Sequence, residues 1–109
     1  MKIINLEEFR KLPENTLYSK YTPMFFDSLE IKGETWKCDF LSQSLHDAIE
    51  CDSSDEMMTL LTDAKEIGTS LEMDFNCQSR DGIFNDDQLF AVWEKRDVEK
   101  LINRLMECL

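Results

Sequence analysis

Glycine, proline, histidine and basic residues are all scarce in this chain, and each shortage excludes something. The three glycines, Gly33, Gly68 and Gly82, are isolated from one another, so no glycine-rich loop is available to cradle a phosphate. The cysteines Cys38, Cys51, Cys77 and Cys108 form no CxxC pair, and His46 is the only histidine. That spacing argues against a zinc site and gives no support to a disulfide framework. No apolar run approaches the ~18 residues of a membrane span. The opening "MKIINLEEF" lacks the long apolar core of a signal peptide. Repeats, low-complexity tracts and Pro/Gly-rich linkers are also missing. The 109 residues therefore read as one domain, 1–109, large enough for a single modest core. Reduced thiols in a cytosolic protein are the expectation.

Twelve basic residues face twenty-three acidic ones, a formal charge of −11. The excess is concentrated. His46 to Glu94 holds thirteen acids against two bases, Lys65 and Arg80, while the rest of the chain cancels at ten of each. Such a balance disfavours nucleic acid or an anionic membrane as the direct partner and favours basic proteins or cations. A hydrophobic fraction of 42% separates the chain from disordered acidic tails.

The pattern alternates between helix and strand. "NLEEFRKLP" predicts a short helix with Asn5 as cap, Glu8 three residues on, Leu6 and Phe9 toward the core, and Pro13 as its stop. "TLYSKYTP" reads as a strand closed by Pro23. In "SLEIKGETWKCDFL", Gly33 marks a bulge or turn, and Trp36, Cys38 and Phe40 share a period of two. A strand is allowed from Ala48 to Cys51. "SSDEMMTLLTDAKEIG" predicts a helix capped by Ser53 with Glu56 reciprocal, a Met57, Leu60, Leu61, Ala64 stripe, and Gly68 at its end. The cluster of Met57, Met58, Leu60 and Leu61 is expected in the core rather than in an adaptable binding groove. "SLEMDF" alternates Leu71, Met73 and Phe75 inward with Glu72 and Asp74 outward. "QLFAVW" is apolar on both faces, as in an interior strand. "DVEKLINRLMECL" predicts an amphipathic helix capped by Asp97, with Val98, Leu101, Ile102, Leu105 and Leu109 in one stripe. The fold class is α+β: a small antiparallel sheet with about three helices packed on one face. Trp36, Trp93 and the cysteines are expected as core residues. An exposed tryptophan would instead be a natural binding anchor.

The oxygen-rich stretch "LEMDFNCQSRDGIFNDDQ" fails as a calcium loop. A frame starting at Asp74 puts Ser79 where glycine belongs and Asn85 where glutamate belongs; placing Gly82 sixth makes Cys77 first. It reads as a polar loop turning at Asp81-Gly82. Paired carboxylates are abundant, yet nothing suggests the apolar pocket that general acid–base work needs. His46 with Cys38 or Cys51 would make a nucleophile–base pair, but no surrounding motif supports it. The chain is therefore expected to be no enzyme and to need no cofactor or metal.

What remains is the acidic surface. Same-face residues of a strand lie about 6.5 Å apart, on the scale of successive backbone phosphates. Glu72 and Asp74 have that spacing, Asp81, Asp86 and Asp87 follow in the next loop, and the Ser53 helix adds Asp52, Asp55, Glu56, Asp63 and Glu66. These ten carboxylates are the candidate partner-binding set. Held rigidly, they would imitate a phosphate backbone and draw in the Lys/Arg groove of a nucleic-acid-binding protein. The phrases "LYSKYTPMFFDSLEIKGETW" and "DGIFNDDQLFAVWEKRDVEKLI" resemble small phage or prophage proteins, similar in class to anti-CRISPR and anti-restriction inhibitors. The resemblance implies a bacterial cytoplasmic setting and an interaction role; the expected partner is a basic nucleic-acid-binding protein such as a CRISPR effector or nuclease, and the charge argues against direct contact with nucleic acid or membrane. It carries no residue roles. An immunity or antitoxin protein neutralising a nuclease toxin has the same charge and size. A phage accessory protein, acidic only for solubility, is the third reading.

Overall fold

A computed structural model describes residues 1–82 and 85–109 of the chain. Its elements are β1 (Lys2–Asn5), α1 (Leu6–Arg10), β2 (Thr16–Thr22), β3 (Phe25–Trp36), β4 (Asp39–Ser44), α2 (Ser54–Ile67), β5 (Ser79–Asp81), β6 (Leu89–Val92) and α3 (Lys95–Met106). The six strands form one antiparallel sheet in the order β1-β6-β2-β3-β4-β5. The class is mixed α+β, with the sheet dominant.

Local chemistry sets the first helix. Asn5 Oδ1 accepts the Glu8 amide at 2.9 Å, so the cap satisfies a donor that the helix leaves open. The cap aims Leu6 and Phe9 at the sheet, where both are buried. Phe9 stacks on Phe90 with ring centroids 3.9 Å apart, and meets Tyr18 at 4.6 Å and Phe40 at 5.0 Å. Leu6, Phe9, Tyr18, Phe40 and Phe90 make the core, with Ile4, Leu12 and Val92 packed against it. β6 lies between β1 and β2, which is why "QLFAVW" needed apolar residues on both faces; Phe90 and Ala91 are fully buried.

The bulge expected at Gly33 is present. The β3–β4 register shifts between Lys32 and Thr35, and the buried Lys32 donates to Thr35 Oγ1 at 2.6 Å. A Cβ at position 33 would stand 2.8 Å from Leu41 Cβ and 2.8 Å from Gln78 Oε1, so only glycine allows this close approach. Lys37, in the left-handed region at φ 57°, then turns the chain into β4. That turn corrects the period-two reading. Thr35 pairs with Phe40 and Trp36 with Asp39, so Trp36 and Phe40 fall on opposite faces. Phe40 is buried; Trp36 is 61% exposed, with Lys37 and Arg80 over its ring.

Other core expectations are also corrected. One helix, not three, buries side chains against the sheet: α2 and α3 contribute no buried residue. On α2, Met58 and Leu61 are exposed and Met57 and Leu60 half-buried; on α3, Ile102, Leu105 and Met106 face solvent, as does Leu109 beyond its end. Helical periodicity identified the helices but could not say whether a partner layer exists for their stripes. The cap of α3 is Glu94, with Asp97 three residues on completing a capping box, one turn's start earlier than Asp97 itself. Trp93 is half-buried. Cys38, Cys77 and Cys108 are exposed free thiols and Cys51 is half-buried, so the cysteines are not core packing. Met73 and Phe75 are exposed as well: "SLEMDF" makes one bridge, Ile49 to Met73, rather than a sheet strand. The edge strands β1 and β5, four and three residues long, were not anticipated.

Phe9→Ala is expected to cost about 3–5 kcal/mol, because it empties the centre of the aromatic core. Leu105→Gln should change stability by less than ~0.5 kcal/mol, as for a surface site. Urea unfolding of the two variants measures both; similar losses would contradict this placement of the core.

Candidate partner-binding surface

β4 and β5 are sheet neighbours, yet the chain between them, residues 45–78, makes a long excursion that contains α2. A short ladder forms its neck. The Asp74 amide donates to Ala48 O at 2.7 Å, the Glu50 amide to Glu72 O at 2.8 Å, and Ile49 bridges Met73. Gln43 Nε2 reaches Asp74 O at 3.4 Å, and Gln78 packs at Gly33. The lobe is thus tied to the sheet at its base.

The neck and the α2 cap together place the acids. Ser53 Oγ accepts the Glu56 amide at 3.1 Å, and Glu56 Oε2 reaches back to the Asp52 amide at 3.0 Å. The capping geometry fixes Glu56 and puts Asp55 in the first turn, where the helix dipole favours a negative group. The ladder brings Glu50 and Glu72 alongside. Glu50, Asp52, Glu56 and Glu72 line one cleft of about 290 Å3 with Cys51, Leu60, Ser70 and Leu71. Glu50 was missed as a site residue, since only the backbone pairing with Glu72 reveals it. Gly68, left-handed at φ 73°, ends the helix and returns the chain toward the neck.

Not all ten sequence-level candidates fall together. Asp52, Asp55, Glu56, Asp63, Glu66, Glu72 and Asp74 belong to the lobe, with Asp63 and Asp74 half-buried and the others exposed. Asp86 and Asp87 sit in a turn before β6, and Asp87 lines a separate cleft with Tyr21, Thr22 and Pro23. The turn expected at Asp81-Gly82 borders residues 83–84, which lie outside the described residues. Asp81 itself ends β5, and its carboxylate meets Lys20 Nζ at 2.8 Å with its side chain 13% exposed. It is committed inside the molecule. Among the described residues, the other nine make no ion pair with lysine or arginine. Arg80 pairs with Asp39, Lys95 with Glu99 and Arg104 with Glu107, while Lys65, on α2 itself, makes no ion pair among the described residues.

A second polar cluster lies on the sheet face that carries the core. Tyr18 OH and Ser42 Oγ are 2.7 Å apart, and Glu30 is cross-strand neighbour to Tyr18 on one side and Ser44 on the other. Burial raises the Glu30 carboxyl above its usual range, Lys20 opposing and Asp81 adding to the shift. Burial likewise pushes the Tyr18 phenol far up, so it stays a neutral hydrogen-bonding group. Tyr18 and Ser42 are themselves buried. The cluster ties β2, β3 and β4 together, with its hydroxyls closed to an outside substrate. His46 is exposed beside Ser44 and Asp47, at 3.1 Å and 3.7 Å. Among the described residues, no group of three or more His, Cys, Asp or Glu side chains is arranged to hold a metal ion.

The Glu30 shift has a definite sign. A carboxyl that holds its proton more tightly folded than unfolded loses stability as pH rises through the interval above its ordinary pKa of 4.5. Glu30→Gln removes that loss. Unfolding free energies from about pH 4 to about pH 7 should therefore move in favour of the variant relative to the parent chain, then level off. A difference independent of pH, or one favouring the parent as pH rises, would contradict the burial of this carboxyl.

No protein-family model, curated protein or solved structure matches this chain, so the surface stands on its own geometry.

Proposed function

We propose that this chain is a non-catalytic acidic inhibitor that captures a basic, nucleic-acid-binding bacterial protein, in the manner of anti-CRISPR or anti-restriction proteins. Its carboxylates stand in for phosphates in the partner's Lys/Arg groove. The observation that carries the reading is the unpaired state of the acids: nine of the ten candidates have no lysine or arginine of their own within ion-pair reach among the described residues. A chain at −11 that leaves these groups unneutralised accepts self-repulsion. A partner's cations would relieve it.

The α2 lobe is the principal contact. Glu50, Asp52, Glu56 and Glu72 converge on one cleft, with Asp55 on the adjacent first turn. Their backbone positions are set by the cap and the neck, so binding orders few additional groups. Trp36, exposed on the sheet, is available as an aromatic anchor. The setting that fits is the cytoplasm of a bacterial host; no helix among the described residues is long and apolar enough to cross a membrane. Charge of this sign steers association with a basic groove and repels nucleic acid and anionic lipid.

The test uses a partner recovered from bacterial lysate by the intact chain. Changing Asp52, Glu56 and Glu72 together to Asn or Gln should weaken its binding roughly tenfold or more and flatten the salt dependence, since close charge pairs at an interface each contribute appreciably. Asp81→Asn should leave affinity nearly unchanged, because its charge is already used by Lys20. Titration calorimetry at two salt concentrations reads both. Unchanged affinity and salt slope in the triple variant would reduce the lobe to a solvated bystander.

A further inference from the structure

The tip of the β2–β3 hairpin carries side chains that the fold does not use. Thr22 pairs with Phe25, leaving Pro23 and Met24 as a two-residue turn. Met24 takes φ 70°, the left-handed region where glycine is the usual residue. Its amide donates to Tyr21 OH at 3.0 Å, which holds the turn in this shape. The consequence is a methionine aimed into solvent at 93% exposure, followed by Phe25 at 67% and Phe26 at 54%. A strained backbone conformation at a wholly exposed apolar residue contributes nothing to this chain's own packing. Such outliers persist where a presented side chain is useful.

The hairpin also outruns its neighbours. β6 pairs with β2 only as far as Tyr21, and β4 pairs with β3 only from Glu30 onward. Among the described residues, 22–27 therefore extend beyond the strand pairing of β6 and β4 as a two-stranded ribbon. Phe25 and Phe26 are successive strand residues and point to opposite faces. No single layer could cover both, whereas a pocket that surrounds the tip could. Phe26 is braced by Tyr21, with ring centroids 5.1 Å apart. The local charge is acidic: Asp27 follows the tip, and Asp87 shares a cleft with Tyr21, Thr22 and Pro23. The nearest base in sequence, Lys20, is tied to Asp81. An apolar tip rimmed by carboxylates suits a protein pocket bordered by cations and is repelled by an anionic bilayer.

We propose that the Met24-Phe25 tip is a plug that inserts into an apolar pocket bordered by Lys or Arg on the captured protein, anchoring the complex that the α2 lobe steers. This rests on the function proposed above, and the experiment separates the two. A photo-reactive benzophenone side chain is placed at Phe25 of the full chain and irradiated with the protein recovered from lysate. The wild-type chain, Met24→Ser/Phe25→Ser and the Asp52, Glu56, Glu72 neutralised variant are then titrated with that protein. The tip reading requires the cross-link to map to an apolar pocket flanked by basic side chains, and at least a tenfold loss of affinity in the tip variant with little change in salt slope. It also requires Met24→Gly to raise the melting temperature yet weaken binding, a split that a merely structural residue would not give. Cross-linking only to a second copy, only to added zwitterionic or anionic phospholipid vesicles, or to nothing overturns the plug. So does full affinity in the tip variant. If the tip variant keeps its affinity while the acid variant loses it, the plug fails and the acidic-inhibitor reading survives. If only the tip variant loses affinity, the plug stands and the charge reading fails.

Discussion

One ring holds this molecule together. Phe9, delivered by a five-residue helix, lies flat on Phe90 and edge-on to Phe40. Those partners come from β6 and β4, which lie on either side of the β2–β3 pair. The contact thus clamps the sheet across its centre with a single side chain. Aromatic pairs in these arrangements gain beyond their buried area. Because α1 supplies the covering layer, the two longer helices are released from core duty, and their exposed apolar residues follow from that division.

The charge pattern follows the same division. Several ionisable groups of the sheet are paired or buried: Lys20 meets Asp81, Arg80 meets Asp39, and Lys32 is satisfied by Thr35 and Gly33. The α2 lobe does the reverse. Asp55 and Glu56 lie in the first turn of α2, where the cap and the helix dipole tolerate negative charge without a counter-ion, Glu50 and Glu72 pair across the neck, and Asp63 and Glu66 lie further along α2. Most of the chain's negative excess lies in the lobe, where Lys65 is the one lysine or arginine in sequence between β4 and β5.

Local chemistry was legible in the sequence, and tertiary coverage was not. The Asn5 and Ser53 caps, the Gly33 bulge, the Gly68 terminus and the interior character of β6 each follow from a residue's own stereochemistry or from an unbroken apolar run. The stripe of α3 has the correct period but buries no residue among those described, and the alternation of "SLEMDF" fails, with Met73 and Phe75 exposed and Asp74 half-buried around a single bridge; periodicity cannot report a missing neighbour. Trp36 was misread because a turn at Lys37 resets the alternation between it and Phe40. The candidate acids divided for a similar reason. Those on one continuous element stayed together, while Asp81 was captured by a cross-sheet lysine and Glu50 was recruited through backbone pairing with Glu72. Both depend on strand register, which no single stretch of sequence encodes.

In the proposed complex the lobe's carboxylates meet cations on another protein. Amide chemical-shift mapping of the isotopically labelled chain, titrated with its captured partner, addresses it most directly. Perturbations should gather at Glu50–Glu56 and Ser70–Asp74 and recede as salt is added. Perturbations confined to α3 and β1, or insensitive to salt, would contradict it.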